Sequence, residues 1–261
     1  MELNLSGKTA VVLASSQGLG FAIAERLVRE GANVVISGRE EEKLKEKCNR
    51  LEAIGTGKAA YQKTDITIPS DIKQLIAFAV ETFGTIDLLV NNAGGPPAGA
   101  FEELTDEAWQ ASFELNLLSY VRTIREALPY LKKQGGKILN IASSSIKEPI
   151  PGLILSNTFR TGIIGLSKTL ASELAPYDIL INTIAPGRIA TDRVKHLDQV
   201  NADKQGLDIE TIEKHMKAQI PLKRYGTPEE FANVAAFLLS EANTYITGSA
   251  ILVDGGMVKA I

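Results

Sequence analysis

Apolar positions in this chain fall into two alternating patterns. Six short runs, "TAVVL" (9–13), "NVVIS" (33–37), "IDLLV" (86–90), "KILNIA" (137–142), "ILINTIA" (179–185) and "AILVD" (250–254), are too uniformly apolar for strands with one wet face. They predict strands buried on both faces. A weaker strand candidate is "AAYQKTD" (59–65), where the alternation is poor. Between the runs lie amphipathic stretches that predict helices over 18–30, 40–52, 69–83, 106–133, 156–175 and 228–239. Thr227, Pro228 and Glu230 supply an N-cap, a first-turn proline and a capping-box glutamate before the last of these. Gly31 follows "ERLVRE", where a left-handed residue would end the first.

Strand and helix thus alternate along nearly the whole length. That order predicts an α/β fold in which residues 1–261 form a single domain, a doubly wound parallel sheet of about seven strands with helices on both faces. Ligands in such sheets bind at the carboxyl ends of the strands. One interval breaks the rhythm. Residues 188–222 carry both histidines, many charges and little apolar material, too long for a plain connection. They predict a lid or substrate loop with short helices of its own.

Composition narrows the partners. A chain of 261 residues with 44% hydrophobic and 23% charged positions and a formal net charge of −3 has no basic footprint for nucleic acid or an anionic membrane. The start "MELNLSGKTAVVL" reads as neither secretory signal nor anchor, so a cytoplasmic protein is expected. Cys48 is the only cysteine, and His196 and His215 are the only histidines, so neither a disulfide nor a metal cluster is expected.

Two stretches carry chemistry. The first run leads into "ASSQGLG" (14–20) and then a helix. Gly18 and Gly20 let the backbone approach a ligand, and the helix N-terminus offers free N–H groups and positive dipole to a diphosphate. The second run ends "ISGRE", with Gly38 where an acid would meet the ribose hydroxyls of NAD(H), and Arg39 next to it. This favours NADP(H), with NAD(H) as the other possibility, because an arginine accommodates a 2′-phosphate. The other stretch is "PGLILSNTFRTGIIGL" (151–166), whose polar centre joins a proline-bounded loop to a helix with Ile163, Leu166 and Leu170 on its buried face. Ser156 and Arg160 therefore belong at the mouth of a crevice, yet both hold their protons tightly near neutral pH.

With "NNAG" (91–94), "FELNLLSYV", "KILNIASSS", "GLSKTLASELAPYDILINTIAPGRIAT", "PLKRYGTPEEFANVAAFLLS" and "YITGSAILVDGG" added, the chain resembles the short-chain dehydrogenase/reductase family, 3-oxoacyl reductase-like, over essentially its whole length. The resemblance implies a Rossmann-like fold and an oxidoreductase acting on a small carbonyl or alcohol. It also implies a homo-oligomer, a tetramer packed through 106–133, 156–175 and the C-terminal segment. The nucleotide site it implies comprises Ser15, Ser16, Gly18, Leu19 and Gly20, Arg39, Asp65 with Ile66, the backbone of Asn92, Ala93 and Gly94, and Pro186, Gly187 and Ile189. Asn116 would hold a water chain and Ser143 would hydrogen-bond the substrate carbonyl, with Ser144 and Ser145 competing for that role.

Two departures from the family pattern stand out. Leu13 and Ala14 replace the Thr-Gly that begins its phosphate motif, so the first tight turn lacks its glycine. The family's active-site tyrosine lies thirteen places after its serine, with a lysine four further on; counting from Ser143 gives Ser156 and Arg160. Those two still share a helical face, and Arg160 retains a positive charge for the cofactor ribose. Of the remaining tyrosines Tyr120 lies four after Asn116, where a core aromatic is the plainer expectation. Two functions follow: an NADP(H)-dependent oxidoreductase with a non-standard proton donor, or alternatively a catalytically impaired nucleotide-binding protein serving as sensor or assembly partner.

Overall fold

The computed structural model describes residues 2–260. Among them the apolar runs form β1 (Thr9–Val12), β2 (Asn33–Gly38), β3 (Ala59–Lys63), β4 (Leu88–Asn91), β5 (Gly136–Ile141), β6 (Ile179–Pro186) and β7 (Ala250–Val253), each within two residues of its predicted span. They make one sheet in the order β3-β2-β1-β4-β5-β6-β7, parallel throughout.

Side chains of successive strand residues point to opposite faces, and β1 shows why its run is apolar without a break. Ala10 and Val12 pack with Ile23, Leu27 and Phe231 on one face, Val11 and Leu13 with Leu75, Tyr120 and Ile163 on the other. The first face is covered by α1 (Gly18–Arg29), α2 (Glu41–Glu52) and α9 (Pro228–Leu239), the second by α3 (Pro69–Phe83), α5 (Ser119–Gln134) and α6 (Ile154–Leu174). Strand order reverses between β1 and β4, and the crevice of a doubly wound sheet opens there, at the carboxyl ends.

The end signals act as read. Thr227 and Glu230 form a reciprocal capping box, and Gly31 has φ +85° just after α1. Residues 106–133, expected as one helix, instead form α4 (Asp106–Phe113), a single π-helical turn at Glu114–Leu118, and α5. The extra residue in the wide turn bears on Asn116, described below. The long polar interval holds α7 (Asp192–Gln205) and α8 (Ile209–Gln219). Its base is closed by a short bridge, with Ala190 N donating to Gly226 O at 2.8 Å and Gly226 N to Arg188 O at 3.0 Å. No helix among the described residues is long and apolar enough to cross a membrane.

The missing glycine of the first turn has a structural trace. Ala14 has φ +45°, in the left-handed region, held there by Leu13 N to Val90 O, Ser15 N to Ser37 O and Asn92 Nδ2 to Ala14 O. A left-handed residue with a Cβ costs roughly 1–2 kcal/mol, whereas glycine adds about 0.4–1 kcal/mol of unfolded-chain entropy. Ala14→Gly is therefore expected to stabilise the fold by about 0.5–1 kcal/mol, read as a higher urea midpoint at unchanged slope. A lower midpoint would show that the turn carries no such strain.

Candidate active site

The loop from β1 to α1 meets the requirements of a dinucleotide cradle. A methyl added at Gly20 would lie 2.7 Å from Asn92 Nδ2 and 2.8 Å from Ala14 O, so helix and loop approach as closely as glycine allows. In front of Gly18, at φ +59°, the nearest atom to such a methyl is Thr191 Cγ2 at 4.0 Å, which leaves space for a ligand. Gln17 gives α1 no side-chain cap, and its first turn holds no acid. Its N–H groups and dipole are therefore available to an anion. Ser15 is committed to the scaffold: its hydroxyl donates to Val12 O at 2.7 Å and accepts from Ser37 N at 3.0 Å. Ser16 stands beside Gly38, where an added methyl would meet its Oγ at 3.2 Å.

Next to this lies a groove whose lining includes the cations Arg39 and Lys63 and the acids Glu41, Asp65 and Asp71. Lys63 pairs in register with Gly38 across β2 and β3, which brings a second cation beside the exposed Arg39. The sequence reading missed it, since only the strand register joins the two. Asp65 Oδ1 accepts from Thr67 N and Oγ1, fixing the turn after β3, and Ile66 is buried behind it.

The carboxyl edge of β4 and β5 is the other half of the crevice. Asn116, fully buried in the π turn, donates from Nδ2 to Gly94 O at 2.7 Å, and its Oδ1 has no partner. A buried acceptor left so calls for a donor such as water. Arg160, only 5% exposed, reaches from α6 to donate Nη1 to Ile141 O at 2.6 Å and to Tyr120 Oη at 3.2 Å, and Nη2 to Ala93 O at 3.1 Å. Its Nε–H is sealed and unpartnered. Ser156 is one turn before it, with its hydroxyl unbonded among the described residues. Ser143 Oγ accepts from Ser145 N at 3.2 Å, leaving its own proton for another acceptor. Ser144 is buried, and Ser145 Oγ is buried without a partner, so the serines stay competitors.

Tyr120 is a core residue. Its phenol is fully buried and donates to Ile141 O at 2.9 Å; burial raises its pKa, against the pull of the Arg160 charge. It is a poor proton source for the crevice. Cys48 is likewise inert: burial pushes its thiol up to about 11. His196 is exposed on α7. Gly187 packs on Asp254, where an added methyl would meet Cβ at 2.6 Å, and Ile189 is a core residue. Both, with Pro186, set the path of the chain from β6 into the polar interval.

That interval is anchored by the buried Asp198, which pairs with Arg188 and accepts from Tyr225 Oη at 2.8 Å. From the first turn of α7, Arg193 donates Nη2 to Pro96 O at 3.1 Å. An isolated arginine in a polar stretch carries no sequence signal, and this one too was missed.

The family model described as enoyl-(acyl carrier protein) reductase matches residues 13–258. Dehydrogenase/reductase SDR family member 4 of Homo sapiens is 35% identical over 257 residues, 97% of this chain and 88% of that protein. The uncharacterized oxidoreductase YvrD of Bacillus subtilis is 36% identical over 271 residues, with both chains fully covered. L-sorbose reductase from Gluconobacter frateurii, complexed with NADPH and L-sorbose, is 34% identical and superposes with a TM-score of 0.95 over the whole of both chains.

The Arg160 contacts predict a stability effect separate from any activity. Arg160→Met leaves Ala93 O without its donor and takes one of two from Ile141 O. A loss of about 2 kcal/mol is expected, the usual scale for removing a charged donor from a buried acceptor. Chemical denaturation of the protein without cofactor measures it, and an unchanged midpoint would deny Arg160 its structural part.

Proposed function

Since the chain belongs to the short-chain dehydrogenase/reductase family and is an oxidoreductase of that kind, we propose that it moves a hydride between NADP(H) and a small carbonyl or alcohol, with Ser156 and Arg160 replacing the usual phenol and ammonium. The observation that carries this reading is the meeting of Asn116 and Arg160 on the loop after β4. Both are buried, each has one polar atom without a partner, and the phosphate cradle lies across the switch point from them. The dehydrogenase and reductase names of the relatives favour this over the non-catalytic alternative.

When bound, the nicotinamide supplies or accepts the hydride. The rest falls to the chain. Ser143 directs a hydroxyl proton at the carbonyl oxygen, and Ser156 offers a second hydroxyl from the facing helix. Arg160 keeps its proton, being charged at any working pH, and so acts as a fixed positive charge that stabilises an alkoxide forming beside it. The proton that completes the alcohol then comes from water, which Asn116 Oδ1 holds at the inner end of the crevice. Losing a positioned acid lowers rates by about 10²–10⁴, so slow turnover of ordinary ketones is expected.

Arg39, Lys63 and Ser16 around Gly38 support NADP(H) over NAD(H). A tetramer is supported by β7, an edge strand whose apolar residues are only partly covered, and by Tyr245, 97% exposed just before it.

Fluorescence titration tests the cofactor assignment. NADPH is expected to bind about tenfold more tightly than NADH, close to 1.4 kcal/mol, and Arg39→Ala should remove most of that margin. Equal affinities, or no effect of Arg39→Ala, would overturn it.

Turnover tests the roles of Ser156 and Arg160. Ser156→Tyr with Arg160→Lys is expected to raise NADPH-dependent ketone reduction at least tenfold, because it restores a tunable phenol beside Asn116 and Ser143. If the wild type is instead fast on some carbonyl and Ser156→Ala abolishes that rate while NADPH still binds, Ser156 belongs to a different working mechanism.

A further inference from the structure

Asp198 lies in the middle of α7, a helix with little apolar material, and yet it is fully buried. A carboxylate taken out of water persists only where its oxygens are matched by donors and opposite charge. Here Oδ1 accepts from Arg188 Nη1, with which Asp198 forms an ion pair, and Oδ2 accepts from Tyr225 Oη at 2.8 Å. The two partners come from opposite ends of one segment: Arg188 stands where the chain leaves β6, and Tyr225 where it returns toward α9. Each immediately precedes a member of the bridge between Ile189 and Gly226. α8 joins at the same point, since Lys217 Nζ lies 5.1 Å and Arg188 Cζ 5.8 Å from the centre of the Tyr225 ring. One buried carboxylate thus ties the entry and the exit of the segment to its first helix.

The start of α7 shows what this tie holds in place. Thr191, the N-cap, faces the phosphate loop, with Cγ2 at 4.0 Å from a methyl added at Gly18, and Arg193 in the first turn donates to Pro96 O at 3.1 Å. That turn therefore spans the crevice from the loop after β1 to the loop after β4. The part of the cofactor beneath it follows from the sheet order and from the NADP(H) reading above, on which this inference rests. Arg39 and Lys63 set the 2′-phosphate at β2 and β3, so the dinucleotide's other end extends past the switch point toward β4, β5 and β6, and α7 is reached from β6. We propose that Asp198 is a positioning residue, which keeps the first turn of α7 closed over the nicotinamide half of the dinucleotide. Its carboxylate is sealed from the crevice, so it acts through Arg188, Tyr225 and the helix rather than by touching the ligand. Segments that close over a ligand are held by a few such residues away from the chemistry.

Calorimetric titration with two probes tests this role: NADPH, and adenosine 2′,5′-bisphosphate, which carries the 2′-phosphate end without the nicotinamide. Asp198→Asn keeps the side chain's shape but cancels the charge that faces Arg188, and Tyr225→Phe removes the other arm of the tie. Asp198→Asn is expected to weaken NADPH at least tenfold and Tyr225→Phe at least threefold, while both leave the bisphosphate within twofold of the wild type. A residue that only supported the fold would move both probes together or neither. Unchanged NADPH affinity, or an equal loss for the two probes, would therefore overturn the proposal. Should Asp198→Asn fail to fold, the same comparison in Tyr225→Phe decides it. A wild type that binds neither probe would overturn the NADP(H) reading itself, whereas a wild type that binds both, with variants that bind both equally well, would remove only the role of Asp198.

Discussion

A parallel sheet leaves carbonyl oxygens over at its carboxyl edge, where each strand turns away into a crossover. Buried acceptors of this kind must find donors, and here the side chains that supply them come from the facing helices. Arg160 takes Ile141 O and Ala93 O, and Asn116 takes Gly94 O. Deeper in the sheet a polar ladder does the same for side chains: Asn91 Nδ2 donates to Asn140 Oδ1, Asn140 Nδ2 to Ser167 Oγ, and Ser167 meets Thr183 Oγ1. These bonds join β4, β5, α6 and β6 at a fixed register. The position of the crevice follows, because the groups that close the strand ends also border it.

An arginine suits this double duty in a way a lysine does not. The planar fork reaches two main-chain acceptors and a phenol at once, whereas an ammonium is a single point of charge. The fork keeps its proton, however, so the site gains a permanent electrostatic centre and loses a tunable acid.

Strands and most helices were legible because burial on two faces writes itself into a sequence as unbroken apolar runs, and caps such as Thr227–Glu230 announce helix ends. Ser156 and Arg160 stood out as departures from a resemblance, and their shared helical face followed from a spacing of four. The π turn was not legible. One added residue barely disturbs a helical pattern over 106–133, yet it sets Asn116 toward Gly94. Lys63 and Arg193 were invisible for another reason: each is an ordinary surface cation until the register of β2 with β3, or the path of the chain after β6, brings it to a crevice. Ala14 was readable as a missing glycine, but only the backbone shows that the left-handed turn was kept without it.

The bridge between Ile189 and Gly226 gives the polar interval the architecture of a cassette. Its two ends meet at one point on the rim, so the length and content of what lies between can change without altering the strands on either side. That cassette can therefore be exchanged whole, by evolution or by design, while the register of the seven strands is inherited intact.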